Sequence, residues 1–227
     1  MKRHLALLVG VYLASLLIML PAAWLIQHPH LGAVQGSLWR GQAQWLYQGQ
    51  AYADLAWRIR ALALLKGQLL FDVSIHTPAG PVAASTALGL RTMTVNLLPT
   101  RLSLDGLSAQ LTVPLAGALE LLPVRVTLSY QGDVLSAHGT LVWQQAALGA
   151  PAQPLGAFAA ELTSAQGALL ATLRDQQGPL ALTGEARWHP KHGARLSTAL
   201  SARDQTLSPW LALIGPADAQ GWRHWQW

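Results

Sequence analysis

Alternation of apolar and polar side chains is the pattern that most constrains this chain. Leu55, Trp57 and Ile59 alternate with Arg58 and Arg60, and Leu69, Phe71, Val73 and Ile75 alternate with Asp72, Ser74 and His76. A period of two belongs to a strand with one face turned from water, because successive side chains of a strand point to opposite faces. The pattern recurs as Met93, Val95 and Leu97 against Thr92, Thr94 and Asn96, and as Val124, Val126, Leu128 and Tyr130 against Arg125, Thr127 and Ser129. Weaker copies stand at Phe158, Ala160 and Leu162 and at Leu196, Thr198 and Leu200. Turn-forming residues separate these runs, at Asp105-Gly106, Gln131-Gly132-Asp133, Gln177-Gly178-Pro179 and in residues 78–81 and 190–193. Many strands joined by tight turns, without βαβ crossovers, predict an all-β fold, mainly an antiparallel sheet or sandwich with a few short helices. The helices are expected at residues 61–66, 115–122 and from Ser208, where Ser208 serves as N-cap, Pro209 fills the first helical position and Gly215 supplies the stop.

A different pattern precedes the strands. After Met1, Lys2, Arg3 and His4, residues 5–26 carry no formal charge. At about 1.5 Å per residue in a helix this run spans about 33 Å, enough to cross a hydrocarbon core of about 30 Å. Lys2 and Arg3 flank its start and the next formal charge is Arg40. The positive-inside bias therefore places the N-terminus in the cytoplasm and exports the rest. Trp24 falls near the far end, where an indole favours the headgroup layer. The expected division is a cytoplasmic start at 1–4, one transmembrane helix at 5–26 and an exported β-rich domain at 27–227. A cleavable signal peptide is the competing reading, but Pro21-Ala22-Ala23 matches a cleavage site only in part and the run is longer than the usual 7 to 15 or so apolar residues of a signal core.

Composition removes other classes. With 52% hydrophobic and 11% charged residues the chain is too apolar for intrinsic disorder, and zero Cys leaves no disulfide scaffold and no lipoprotein-type terminal cysteine. Beyond residue 26 there remain 13 basic against 10 acidic side chains, a net of +3 spread singly, so no nucleic acid is expected as partner. His28 and His30, and His189 and His192, have spacings that can ligate zinc, yet no carboxylate or thiolate stands near either pair to complete a shell. No nucleophile elbow, phosphate loop or zinc-protease helix is present. Catalytic residues, metal, cofactor and small-molecule substrate are accordingly all expected to be none. Tryptophan is the unusual residue, with ten copies. Trp57 and Trp143 read as core strand residues, whereas Arg223, Trp225 and Trp227 combine the residue types of an interface hot spot with those of a last core strand.

The order of short motifs carries a family likeness. Pro21-Ala22-Ala23-Trp24 closes the apolar run and Gly36-Ser37-Leu38-Trp39-Arg40-Gly41-Gln42-Ala43 follows. Next come Leu55-Ala56-Trp57 and Leu64-Leu65-Lys66-Gly67, and near the end Gly178-Pro179-Leu180, Leu182, Gly184, Trp210-Leu211 and Ile214-Gly215. This succession resembles protein N of the bacterial type II secretion system over nearly the whole chain. The resemblance implies a single-pass inner-membrane accessory component with a periplasmic domain, serving the export of folded proteins across the outer membrane. Its implied partners are other secretion components, of the inner-membrane platform or associated with the secretin. Gly36, Leu38, Trp39, Gly41, Trp57 and Gly67 are expected to serve the fold, with Gly36 and Gly41 opening room for the Trp39 indole to enter the core. Two alternatives stand beside it. A tethered β-sheet with one apolar face can hold a lipid chain in a groove, and a hydrolase would need a nucleophile beside a base such as His138 or His189. If the row of Leu69, Phe71, Val73 and Ile75 packs under another layer, assembly is favoured; if such rows stay open, lipid is.

Overall fold

The computed structural model describes residues 20–25, 30–47, 50–60, 63, 68–105, 114–149, 151–213 and 215–227. Most of the 5–26 run, the 61–66 helix apart from Ala63, and Gly67 therefore lie outside the described residues, and among those described no helix is long and apolar enough to cross a membrane. A four-residue helix, α1 (Ala22–Leu25), leads into fifteen strands. These are β1 (Leu31–Gly36), β2 (Arg40–Tyr47), β3 (Gln50–Arg60), β4 (Leu69–Thr77), β5 (Gly80–Leu88), β6 (Thr92–Leu97), β7 (Thr100–Ser103) and β8 (Leu115–Leu121). After them come β9 (Val124–Ser129), β10 (Val134–Leu148), β11 (Gln153–Ala165), β12 (Ala168–Gln177), β13 (Leu180–His189), β14 (Gly193–Ala202) and β15 (Arg223–Gln226). Between the last two lie a 3₁₀ turn (Gln205–Leu207) and α2 (Ser208–Ala212).

All fifteen strands join one antiparallel sheet, so the sandwich alternative is not the form adopted. Strands β1 to β6 lie in chain order, β9 follows β6, and β10 to β15 continue in order to the far edge. β7 and β8 lie off this path, β7 on β8 and β8 on β10. Two Leu-Pro steps explain the detour. Leu98-Pro99 separates β6 from β7 and Leu122-Pro123 separates β8 from β9. Register pairs Leu97 with Val124 and Thr100 with Leu121, which sets the two dipeptides side by side. A proline has no N–H for the ladder, so pairing breaks across both strands at one line. The 15-residue β10 runs through that line, with β9 along Val134–His138 and β8 along Leu141–Leu148, and so holds the two halves of the sheet together.

The helix expected at 115–122 is a strand. Ala, Leu and Glu favour helix locally, but Leu119 and Leu121 pair with Trp143 and Leu141 on one side and with Leu102 and Thr100 on the other. Two ladders outweigh a propensity of a few tenths of a kcal/mol per residue. At the C-terminus, the side chain that caps the helical segment is Asp204, whose carboxylate accepts the Thr206 N–H at 2.9 Å, and not Ser208.

Candidate functional site

Register assigns every strand residue to a face, and one face of the sheet is apolar nearly throughout. Residues opposite one another across a ladder share a face, so Ile59, Phe71, Thr86, Val95, Val126 and Ala137 form one row across six strands. Beyond the fault line the same face continues through Leu121, Leu141, Ala160 and Leu173. The reverse face carries Arg58, Asp72, Ser85, Asn96, Arg125 and His138 in a matching row.

Among the described residues, two clusters of buried side chains lie on the apolar face toward its two ends, and Leu121, Val124 and Ala137 are buried between them. At the first, Ala22 of α1 packs with Ala43 and Trp57, flanked by Leu31, Leu55 and Val73. At the second, Leu207 and Leu211 of the C-terminal helical segment seat on Phe158 and Leu180, with Trp143, Leu182 and Leu200 around them. Trp143 donates its indole N–H to the Ala116 carbonyl at 3.1 Å and its ring lies 5.9 Å from that of Phe158. Between these plugs Met93, Val95 and Leu97 on β6 and Val126 and Leu128 on β9 are half-buried and belong to neither cluster.

The Gly-Ser-Leu-Trp-Arg-Gly motif forms the first plug's wall. Gly36 has φ +91, and a Cβ there would stand 2.6 Å from the Arg40 carbonyl oxygen, so only glycine fits. Gly41 lies directly under the Trp57 ring, opposite it in the β2–β3 ladder, where any Cβ would collide with the indole. Trp57 is 9% exposed and donates its N–H to the Leu38 carbonyl at 3.1 Å. The ring in the cradle is therefore that of Trp57, while Trp39 is half-buried and contributes its carbonyl to the Ile59 N–H. Leu38 also joins the motif to the incoming chain, through its N–H to the Leu20 carbonyl at 3.0 Å, beside a Pro21–Ser37 bridge.

The C-terminal aromatic residues sit on the edge strand. Trp225 lies opposite Thr198 and is 44% exposed, and Trp227 exchanges backbone hydrogen bonds with Leu196 while 74% of its surface stays in water. Arg223 turns back instead and donates to the Gly215 carbonyl at 3.0 Å. Asp218 builds the turn before them by accepting the N–H groups of Gln220 and Trp222 and lying 3.1 Å from His224. The Trp222 N–H first, then His224, hold its carboxyl below the ordinary range. A second carboxylate, Asp175, lies at the rim of the C-terminal plug, with Arg203 at 2.6 Å and the Leu182 N–H at 3.1 Å. Burial pushes its pKa up, and the Arg203 and Leu182 hydrogen bonds together outweigh that and leave it lowered. Nothing in the local sequence pairs residues 175 and 203; only the β12–β13–β14 register does.

The described histidines do not converge on a reacting centre. His189 and His192 have ring centroids 4.6 Å apart, the His189 Nδ1 accepts the Lys191 N–H, and His30 stacks on Trp45. His138 is exposed on the polar face. Among the described residues no three His, Cys, Asp or Glu side chains gather as a metal shell would require.

Among the described residues this geometry defines a class: a single-sheet antiparallel β protein with one apolar face, packed against Ala22 toward one end and against Leu207 and Leu211 toward the other. Comparison with known proteins gives the family. The family described as Type II secretion system (T2SS), protein N matches residues 30–226, and the chain belongs to it. It is 27% identical to Type II secretion system protein N of Klebsiella pneumoniae, over 97% of this chain and 92% of that one. It is 29% identical to the protein of the same name from Aeromonas hydrophila, over 95% of this chain and 93% of that one. No solved structure matches it significantly.

Proposed function

We propose that this chain is a noncatalytic, single-pass component of the type II secretion machinery of the inner membrane, anchored by residues 5–26 with residues 27–227 in the periplasm. Its working surface is the uncovered centre of the apolar face, which receives an apolar segment of another secretion component. The observation that carries this reading is the pairing of family membership with a sheet whose central rows, Val95 and Val126 among them, lie outside both plugs. Monomeric proteins rarely leave wide apolar surfaces without a partner. Gly36, Leu38, Trp39, Gly41 and Trp57 serve the fold at the membrane-proximal end, and Gly67 does so between β3 and β4. Arg223, Trp225 and Trp227 add an edge on which a partner strand can extend the sheet.

A second reading is favoured by one observation. Among the described residues the row of Leu69, Phe71, Val73 and Ile75 has no second sheet over it, although Val73 packs on the first plug, and rows without a covering sheet are what a lipid-holding module requires. One experiment separates the two. A photo-reactive amino acid at Val95 or Val126, activated in intact cells, yields an adduct with a secretion protein in the first case and with a phospholipid in the second. The same probe at Thr127, on the reverse face, is expected to give neither. A Val95 or Val126 probe that captures nothing in secreting cells would contradict both.

A further inference from the structure

The polar face holds a hollow that the fold alone does not account for. It lies over β2 to β5, with a volume of about 820 Å³, and its floor is made of small side chains, Ala56, Ser74, Ala83 and Ser85. Around the floor stand Arg40, Arg58 and Arg60, against one carboxylate, Asp72. Asp72 is already committed. Arg60 grips it with two hydrogen bonds, at 2.6 and 3.0 Å. Arg40 and Arg58, by contrast, are directly opposed across the β2–β3 ladder, both exposed, and among the described residues neither has an ion pair. Opposed residues in such a ladder have Cβ atoms about 5 Å apart, and like charges there destabilise the pairing. Two guanidinium groups at that spacing are a receptor for a phosphate, each offering a planar fork of N–H donors.

A second opposed pair shows what compensation looks like. Arg187 and Arg195 face each other across β13 and β14 in another polar-face hollow, but Glu185 lines that hollow and Arg187 donates to Gln166 at 2.8 Å. In the first hollow the one carboxylate, Asp72 opposite Arg58, is held by Arg60, so three arginines share a single acidic partner.

Its place in the fold indicates which phosphate. Arg40 is the first formal charge after the apolar run and its backbone N–H donates to the Ser37 hydroxyl, in the segment that the Leu20 carbonyl and Pro21 tie to the incoming chain. We propose that Arg40 and Arg58 bind the phosphodiester of an anionic phospholipid headgroup at the membrane surface where the domain emerges. The membrane placement rests on the anchor reading above; the phosphate chemistry does not.

The test uses the full chain in neutral detergent micelles, titrated with short-chain phosphatidylglycerol, short-chain phosphatidylcholine, glycerol phosphate and an oligoglutamate peptide. Saturable binding of phosphatidylglycerol is expected, at least tenfold tighter than that of the other three. Arg40→Gln with Arg58→Gln lowers it at least tenfold, and Arg195→Gln leaves it unchanged. Without lipid, the double variant melts at the same temperature as the parent or higher, because an opposed like-charge pair has been removed, which separates loss of binding from loss of fold. Unchanged affinity in the double variant, or no saturable binding in the parent, overturns the site. Glycerol phosphate binding as tightly as the lipid overturns the headgroup assignment in favour of a free anion, and preference for oligoglutamate overturns it in favour of an acidic protein segment. The intact mass of the chain recovered from membranes tests the anchor separately. A chain lacking residues 1–26 that still binds phosphatidylglycerol refutes the anchor and leaves the site standing.

Discussion

Replacing Trp57 by Ala should unlock one end of the sheet and leave the other intact. A Trp ring that goes from water to a buried site removes about 150–250 Å² of surface. At about 25 cal/mol per Å² this is about 4–6 kcal/mol, an upper bound because an unfolded chain already shields part of its apolar surface. Deletion of a buried aromatic ring costs about 3–5 kcal/mol in practice, and the bond from the indole to the Leu38 carbonyl contributes about 1 kcal/mol of it. Trp39, half-buried and outside the Ala22–Ala43–Trp57 cluster, should cost about 1–2 kcal/mol when cut to Ala. Each strand leans mainly on its ladder neighbours, so the loss stays local, as in other quasi-one-dimensional arrays. Hydrogen exchange of the full chain in mild detergent, read peptide by peptide, measures this directly. Since about 1.4 kcal/mol is a factor of ten, Trp57→Ala should lower protection in β2 to β4 by about two to four decades with β11 to β14 unchanged. An equal or greater loss in Trp39→Ala would refute the assignment of the cradle to Trp57.

Other outcomes follow from the C-terminal plug and the histidines. Leu207→Ala, at a side chain 2% exposed over Phe158 and Leu180, should destabilise by about 2–5 kcal/mol and speed exchange in β13 and β14 before β3 and β4. Asp175 has a folded pKa below the ordinary carboxylate value of about 3.9, so its stabilising contribution is present above that value and is lost as the pH falls through the lowered one. Acid exchange should therefore loosen the C-terminal plug below about pH 4, and Asp175→Asn should flatten that dependence while lowering stability at neutral pH. Changing His138, His189 and His192 together to Gln should leave folding and secretion largely unaltered, as measured by exchange and by exported protein in the medium, as the proposed noncatalytic role requires.

Much of the fold was legible because alternation is a local signal. The rows at Leu55–Ile59, Leu69–Ile75, Met93–Leu97 and Val124–Leu128 all lie in strands with the apolar residues on a common face. Residues 115–121 misled because Leu-Ala-Gly-Ala-Leu-Glu-Leu has helix-forming composition, and only pairing with β7 and β10, distant in sequence, decides against it. The glycines at 36 and 41 signalled a close approach, yet the ring that approaches is Trp57, which register and not spacing supplies. Whether one sheet or two would form was not readable either, since period two is common to both. The opposed pairs Arg40–Arg58 and Arg187–Arg195 and the Asp175–Arg203 bridge likewise exist only once strands are aligned.

The central claim is that the uncovered apolar face is the surface through which this chain serves secretion. The most direct measurement compares secretion by cells whose only copy carries Val126→Asp, on that face, with cells carrying Thr127→Asp, one residue along the same strand on the other. A charge at Val126 should cut the rate of export at least tenfold while exchange protection in β1 to β4 and β11 to β14 stays at the parental level, and Thr127→Asp should leave export unchanged. Parental export by a folded Val126→Asp protein would contradict the account.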